Sequence, residues 1–289
     1  MGMATTIRKT INKTLAALLI LSFWWIYAPQ INAANTNSAD FESGSSQSLS
    51  TADEGDLDIV GDWTAEFWIN LETAQDATER YVFSKYNGAG DQRAWYVGLD
   101  KSGANFRIKW IGSEDGVSGV QKAWYYELVV GTWYHVAITY DLDGGGAGVP
   151  QLIMYVNGAS EGGPDADDDA NEPDALKNST DDLEIGALSA SGFFDGKLDD
   201  LRFWAEERTA ANISDNYQSE LNGNDTNLKA YYMFNDSEGN LQDRGTVTDP
   251  AGSAANDLTN NNTVTFPTDV PFPIASAAIL PGDPFFFAS

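Results

Sequence analysis

The sequence predicts an all-β protein, built as two antiparallel sheets packed into a jelly-roll sandwich with one short helix. Three observations predict it. Segment after segment alternates apolar and polar residues with period two, which turns one strand face to a core and the other to solvent. Gly, Asn and Asp clusters separate these segments, as short hairpin connections require. Only one brief run after residue 34, "RTAANISDNY", reads as helical.

The first 33 residues stand apart from this pattern. Arg8, Lys9 and Lys13 precede an apolar run, Leu15 to Ala28, and small residues follow around Ala33. A basic start, a short apolar run and a small-residue site form a secretory signal peptide. The run falls short of the roughly 20 apolar residues of a spanning helix. We expect cleavage after Ala33 and a secreted, extracellular or cell-surface protein. Retention would instead leave a membrane anchor with Trp24, Trp25 and Tyr27 at the interface.

The body then reads as strands. "WTAEFWINL" sets Trp63, Ala65, Phe67, Ile69 and Leu71 on one face and Thr64, Glu66, Trp68 and Asn70 on the other. "NFRIKW" sets Phe106, Ile108 and Trp110 against Asn105, Arg107 and Lys109. "WYHVAITY" buries Tyr134, Val136, Ile138 and Tyr140, and "LKAYYMF" alternates Leu228, Ala230, Tyr232 and Phe234 with Lys229, Tyr231 and Met233. Asn157-Gly158 suits the positive φ angles of a tight hairpin. In "FFDGKLDDLRFWAEERTAANI", Leu201 and Phe203 face the core and Trp204 the opposite side. Asp199 alternates with Leu201, so partial burial with donors from Arg202 or backbone amides is expected. Thr209 serves as N-cap of the helix, with Ile213 and Tyr217 four apart on one face. The last segment, residues 266–289, holds five prolines and a run of phenylalanines. It reads as an apolar tail that packs on its own domain, a partner or a membrane.

These segments resemble, in order, the laminin-G-like modules of the concanavalin A-like lectin/glucanase superfamily. The resemblance rests on residues 39–50, 61–71, 131–141, 152–158 and 192–213, closed by residues 228–259. It implies two sheets face to face, one of them concave, over a domain spanning residues 34–265. It says less about activity, because this fold hosts many.

Composition narrows the function. The chain has 289 residues and no cysteine, which excludes disulfides and thiolate chemistry. Its net charge of −27 becomes −30 if the three cations of the first 33 residues are removed. Such a surface repels nucleic acid and attracts cations. A glycoside hydrolase on this fold needs two carboxylates facing one strand. No Glu-x-Asp-x-Glu spacing occurs, so we expect no enzyme. His135, the one histidine, reads as a packing residue.

Calcium is the expected cofactor, because hard cations take carboxylate and carbonyl oxygens. The densest candidate is Asp165, Asp167 and Asp169, which alternate like the start of an EF-hand loop without its glycine and glutamate. Asp40 with Glu42, Asp141 with Asp143, and Asp243 with Asn256 and Asp257 are further candidates. Trp110, Trp124, Tyr125 and Tyr126 surround a Gly- and Ser-rich loop and are the expected ligand platform, with Trp95 and Tyr86 near it. The expected partner is a glycan or a surface protein. The alternative is a structural subunit that self-assembles through residues 266–289 into a filament or surface layer.

Overall fold

The structure, a computed structural model, describes residues 35–53, 55–145, 151–167, 172–221, 223, 225–235 and 256–272. Residues 1–33 and most of the tail, with their signal, anchor and assembly readings, lie outside the described residues. The strands are β1 (Ala39–Phe41), β2 (Ser48–Thr51), β3 (Trp63–Leu71), β4 (Arg80–Asn87), β5 (Gln92–Ser102), β6 (Asn105–Gly112), β7 (Val120–Tyr125) and β8 (Trp133–Asp141). There follow β9 (Gln151–Val156), β10 (Ala159–Gly162), β11 (Ala166–Asp167), β12 (Leu183–Ile185), β13 (Gly196–Trp204), β14 (Leu228–Tyr232) and β15 (Thr259–Asn261). One α-helix, α1 (Ala210–Asn216), follows β13.

The strands form two antiparallel sheets. The first runs β1-β13-β3-β8-β9-β10, with β14 also paired to β13; the second runs β11-β7-β6-β5-β4-β12-β2-β15. The inward faces carry the predicted apolar sets, and aromatic rings join the sheets. Trp63 of the first meets Trp95 of the second at 5.6 Å, Phe203 meets Phe83 at 5.0 Å, and Tyr140 stacks on Trp110 at 5.7 Å. Such pairs add to the gain from burying apolar area.

Local chemistry sets the connections. Asn157 and Gly158 both take positive φ, 50° and 78°, and turn β9 into β10 as the pair predicts. Thr209 caps α1 by accepting the Asn212 N–H at 3.2 Å. Ile213 is buried against Ala137 and Tyr155, so α1 lies on the outward face of the first sheet.

Strand β13 departs from simple alternation. Leu198 and Leu201 both enter the core, which leaves two residues between them. The register shifts between Asp199 and Arg202, and Asp200 takes a φ of 50°. This is a bulge. It puts Asp199 and Arg202 on the outward side, across from Trp68 and Glu66 of β3. A second shift, between Phe203 and Trp204, sends Leu228 to an outward cluster with Trp204 and Tyr231, not into the core set with Ala230 and Tyr232.

Candidate ligand-binding face

The two outward faces differ. That of the first sheet is covered. Tyr217 stacks on Trp68 at 5.9 Å and its carbonyl accepts the Trp68 indole N–H at 2.9 Å. Phe272 packs on the same indole at 5.5 Å. Under this cover lies a buried ionic network. The Arg202 guanidinium donates to Asp200 and, at 2.6 Å, to the Ser219 carbonyl, and stands 3.7 Å from Glu66. His135 lies 3.5 Å from Glu66, and the Tyr231 hydroxyl donates to Asp200 at 2.5 Å. Asn35 donates to Asp199 at 2.9 Å.

Burial works against the Glu66 charge, but His135, 3.5 Å away, and the Arg202 charge outweigh it and hold this carboxyl below its usual range. Asp199 goes the other way: burial, then the neighbouring Asp200, push it well up. The network fastens the segment after α1 and the start of the domain to the sheet. Its side chains Glu66, His135, Asp199, Asp200 and Arg202 are all buried.

The outward face of the second sheet carries a different set. Cross-strand partners share a face, so the register defines its rows. One row is Tyr81, Gly98, Lys109 and Ala123; the next is Asp100, Arg107 and Tyr125; on the other side run Ser84, Tyr96, Ile111 and Gln121. Tyr96 is flanked by Tyr81 and Tyr86, each at 5.0 Å and edge-on. Tyr96 is nearly buried beneath them, while Tyr81 and Tyr86 remain half-buried.

Glu79, at the mouth of β4, is the polar hub. Its carboxylate accepts the Tyr81 hydroxyl at 3.3 Å, the Tyr96 hydroxyl at 3.2 Å and the Lys109 ammonium. Gly98 makes room for it. A Cβ there would stand 3.3 Å from the Arg80 carbonyl and 3.5 Å from Glu79 Oε1. Arg107 grips Asp100 with two bonds of 2.6 and 2.5 Å, and Lys109 lies 3.6 Å from the same carboxylate. Arg93 spends its charge on the Gly116 and Val117 carbonyls and on the Tyr86 ring, 5.9 Å away. Glu184 accepts the Ser189 N–H, and burial raises its carboxyl. Burial, then Glu79, push the Tyr81 phenol up to about 12, so it stays a donor at neutral pH. Ring surfaces beside fixed donors and acceptors suit a ligand with C–H faces and hydroxyl edges.

The expected platform divides. Trp110 and Trp124 are 0% and 1% exposed, because their rows, Trp110 with Lys122 and Trp124 with Ile108, face inward. A ring inside the core offers no surface to a sugar, so neither is a platform. Trp95 is in the core as well. Tyr126 packs beside Tyr134 at 6.1 Å at the margin of the core. Tyr125 is 47% exposed and stands on the outward face, paired with Arg107. Tyr86 also lies there. Sequence reasoning missed Tyr81, Tyr96, Glu79 and Lys109. The register shift between Tyr81 and Phe83 adds a residue to β4, and the one between Lys85 and Tyr86 adds Ala94 to β5, so both strands break the period. The usable signal was Gly98, a glycine inside an aromatic strand, which marks close approach from above.

The acidic candidates divide too. Asp165 accepts the Tyr125 N–H at 2.8 Å and helps join β11 to β7. The backbone of Asp167 pairs with Lys122, and Asp169 lies outside the described residues. Asp141 accepts the Asp143 N–H at 2.9 Å, and Asp243 lies outside the described residues. Asp40 and Glu42 gather with Glu72: their oxygens come within 4.8 Å of one another. One Asp40 oxygen is buried without a partner. Burial, then Glu72, push Asp40 up to about 6. Lys197 stands 2.5 Å from Glu72 and 3.6 Å from Asp269, and supplies part of the counter-charge. Three carboxylates with one orphan oxygen fit a hard cation.

Comparisons place this architecture. A search of curated proteins returns no match. A protein from Bacteroides ovatus, provisionally described as carbohydrate binding, superposes with a TM-score of 0.59 at 19% identity, covering 84% of this chain. This chain spans 63% of that protein's length. The heptameric SAP-like pentraxin of Limulus polyphemus superposes with a TM-score of 0.50 at 16% identity, covering 82% of this chain and 97% of its own. Both likenesses show the fold. A laminin-G family model matches residues 43–214, more than half of the chain. The chain therefore belongs to that family, within the concanavalin A-like lectin/glucanases superfamily.

Proposed function

We propose that this chain is a secreted, non-enzymatic module that binds glycans on the outward face of the second sheet. One observation carries the reading: Tyr81, Tyr86 and Tyr96 cluster around the Glu79 carboxylate on the sheet face that α1 leaves uncovered. The fold shared with a protein described as carbohydrate binding supports it. The non-enzymatic part is supported by the sequence, in which no Glu-x-Asp-x-Glu spacing sets two carboxylates on one strand face. Hydrolysis needs one such group as proton donor and a second as nucleophile or base.

A glycan array followed by titration tests the reading. Binding should appear, and Tyr81→Ala and Tyr86→Ala should each weaken it by about tenfold, ~1.4 kcal/mol, without loss of fold. Binding that ignores both substitutions would place the ligand elsewhere.

Calcium is part of the proposal as a structural ion. Asp40, Glu42 and Glu72 would hold it; at the Asp165 segment, Asp165 accepts the Tyr125 N–H and Asp169 lies outside the described residues. For self-assembly, Phe266 stacks on Phe234 at 6.5 Å and Phe272 covers Trp68, so the start of the tail packs on its own domain. No observation on residues 273–289 favours the filament reading, and glycan binding is the reading we keep.

A further inference from the structure

The charges around the tyrosines decide which glycans fit. Lys109, Arg107 and Arg93 are the cations of this face. Lys109 is shared between Glu79 and Asp100, Arg107 is held by Asp100, and Arg93 is tied to two carbonyls. Glu184 adds a further carboxyl on the same side, in register with Ser84. An anion reaching the tyrosines therefore meets cations that are already occupied. Displacing Glu79 from Lys109 would also strip the acceptor from the Tyr81 and Tyr96 hydroxyls. The net charge of −27 adds long-range repulsion.

We propose that this face selects uncharged glycans over uronate- or sulfate-bearing ones, with Glu79 as the residue that sets the selection. The inference rests on the glycan-binding reading of the face. Glu79 acts in two ways. It offers an acceptor to ligand hydroxyls, with its side chain 28% exposed, and it cancels the Lys109 charge. Gly98 lies under this carboxylate: a Cβ there would touch Glu79 Oε1 at 3.5 Å and press closer, 3.3 Å, on the Arg80 carbonyl.

The test is titration of the secreted protein with two sets of hexasaccharides. One set is neutral: gluco-, xylo-, manno- and arabino-oligosaccharides. The other is anionic: oligogalacturonate and a sulfated galactan fragment. The wild type should prefer its best neutral ligand by at least about tenfold. Glu79→Gln keeps the size of the side chain and removes one of the two carboxylates that share Lys109. It should raise affinity for the anionic set by about fivefold or more, and added salt should erase the gain. Equal or better wild-type binding of the anionic set overturns the selection while leaving the glycan face intact. A folded Glu79→Gln protein with no gain toward anions overturns the role of Glu79. Silence toward both sets overturns the glycan reading itself. The wild-type comparison stands whether or not the variant folds.

Discussion

At the scale of single residues, the first sheet's outward face is governed by one buried cation. Arg202 is fully buried and neutralises Asp200 while facing Glu66. Removing one partner of such a set leaves buried charge unpaired, which costs far more than the pair contributes. Arg202→Met should lower unfolding free energy by about 3–5 kcal/mol, read from denaturant midpoints. A loss below about 1 kcal/mol would mean that the acids relax to solvent. Protonation gives a second check. Burial first, then Asp200, push Glu220 up to about 7, and Asp40 stands at about 6. Such groups bind protons more tightly folded than unfolded, so they favour folding as pH falls through 7 and 6 toward about 4. Glu66, held low, stabilises above its unfolded value and withdraws that support only in stronger acid. The protein should therefore be more stable at pH 5.5 than at pH 8. Glu220→Gln should raise stability at pH 8 and shrink the difference; an unchanged pH profile would refute its part.

At the scale of elements, α1 is seven residues long and has no stability of its own. Its cap and one anchor hold it. Thr209→Ala should cost about 1 kcal/mol and Ile213→Ala about 2–3 kcal/mol, measured by thermal or chemical unfolding. Equal, negligible effects would show that the segment is held by Tyr217 and Trp68 alone. Elements like this were legible in the sequence, because cap, spacing and anchor are local signals. The same holds for β3, β8 and the Asn157-Gly158 hairpin. The bulges in β4, β5 and β13 were not legible. A bulge shifts the face of every residue beyond it without changing composition. This is why Tyr81 and Tyr96 escaped notice, and why Asp199 reads as a neighbour of Leu201 on the core side yet points outward. Trp110 and Trp124 both failed as platform residues. Period two already set Trp110 on the apolar face with Phe106 and Ile108, whereas Trp124 and Tyr125 put an aromatic on each face of β7 and left its buried side open.

At the scale of the whole molecule, two sheets share a core, one outward face is sealed by α1 and residues 266–272, and the other presents tyrosines. The short strands β11 and β15 at the margins of the second sheet, two and three residues long, limit strand addition by a neighbour. The proposed calcium would act at this scale, because Asp40 in β1, Glu42 just after it and Glu72 after β3 come from segments joined through β13. A bound ion should raise the melting temperature and a chelator should reverse it, by about 2.7 kcal/mol at a hundredfold excess over Kd. Asp40→Asn should abolish the response; a response that survives it would point to another ion site. The central question is which face meets the ligand. Hydrogen–deuterium exchange with and without the best-bound neutral oligosaccharide answers it. Protection confined to residues 79–86, 96–100 and 107–125 is the predicted result, and protection centred on residues 210–221 or 266–272 would contradict it.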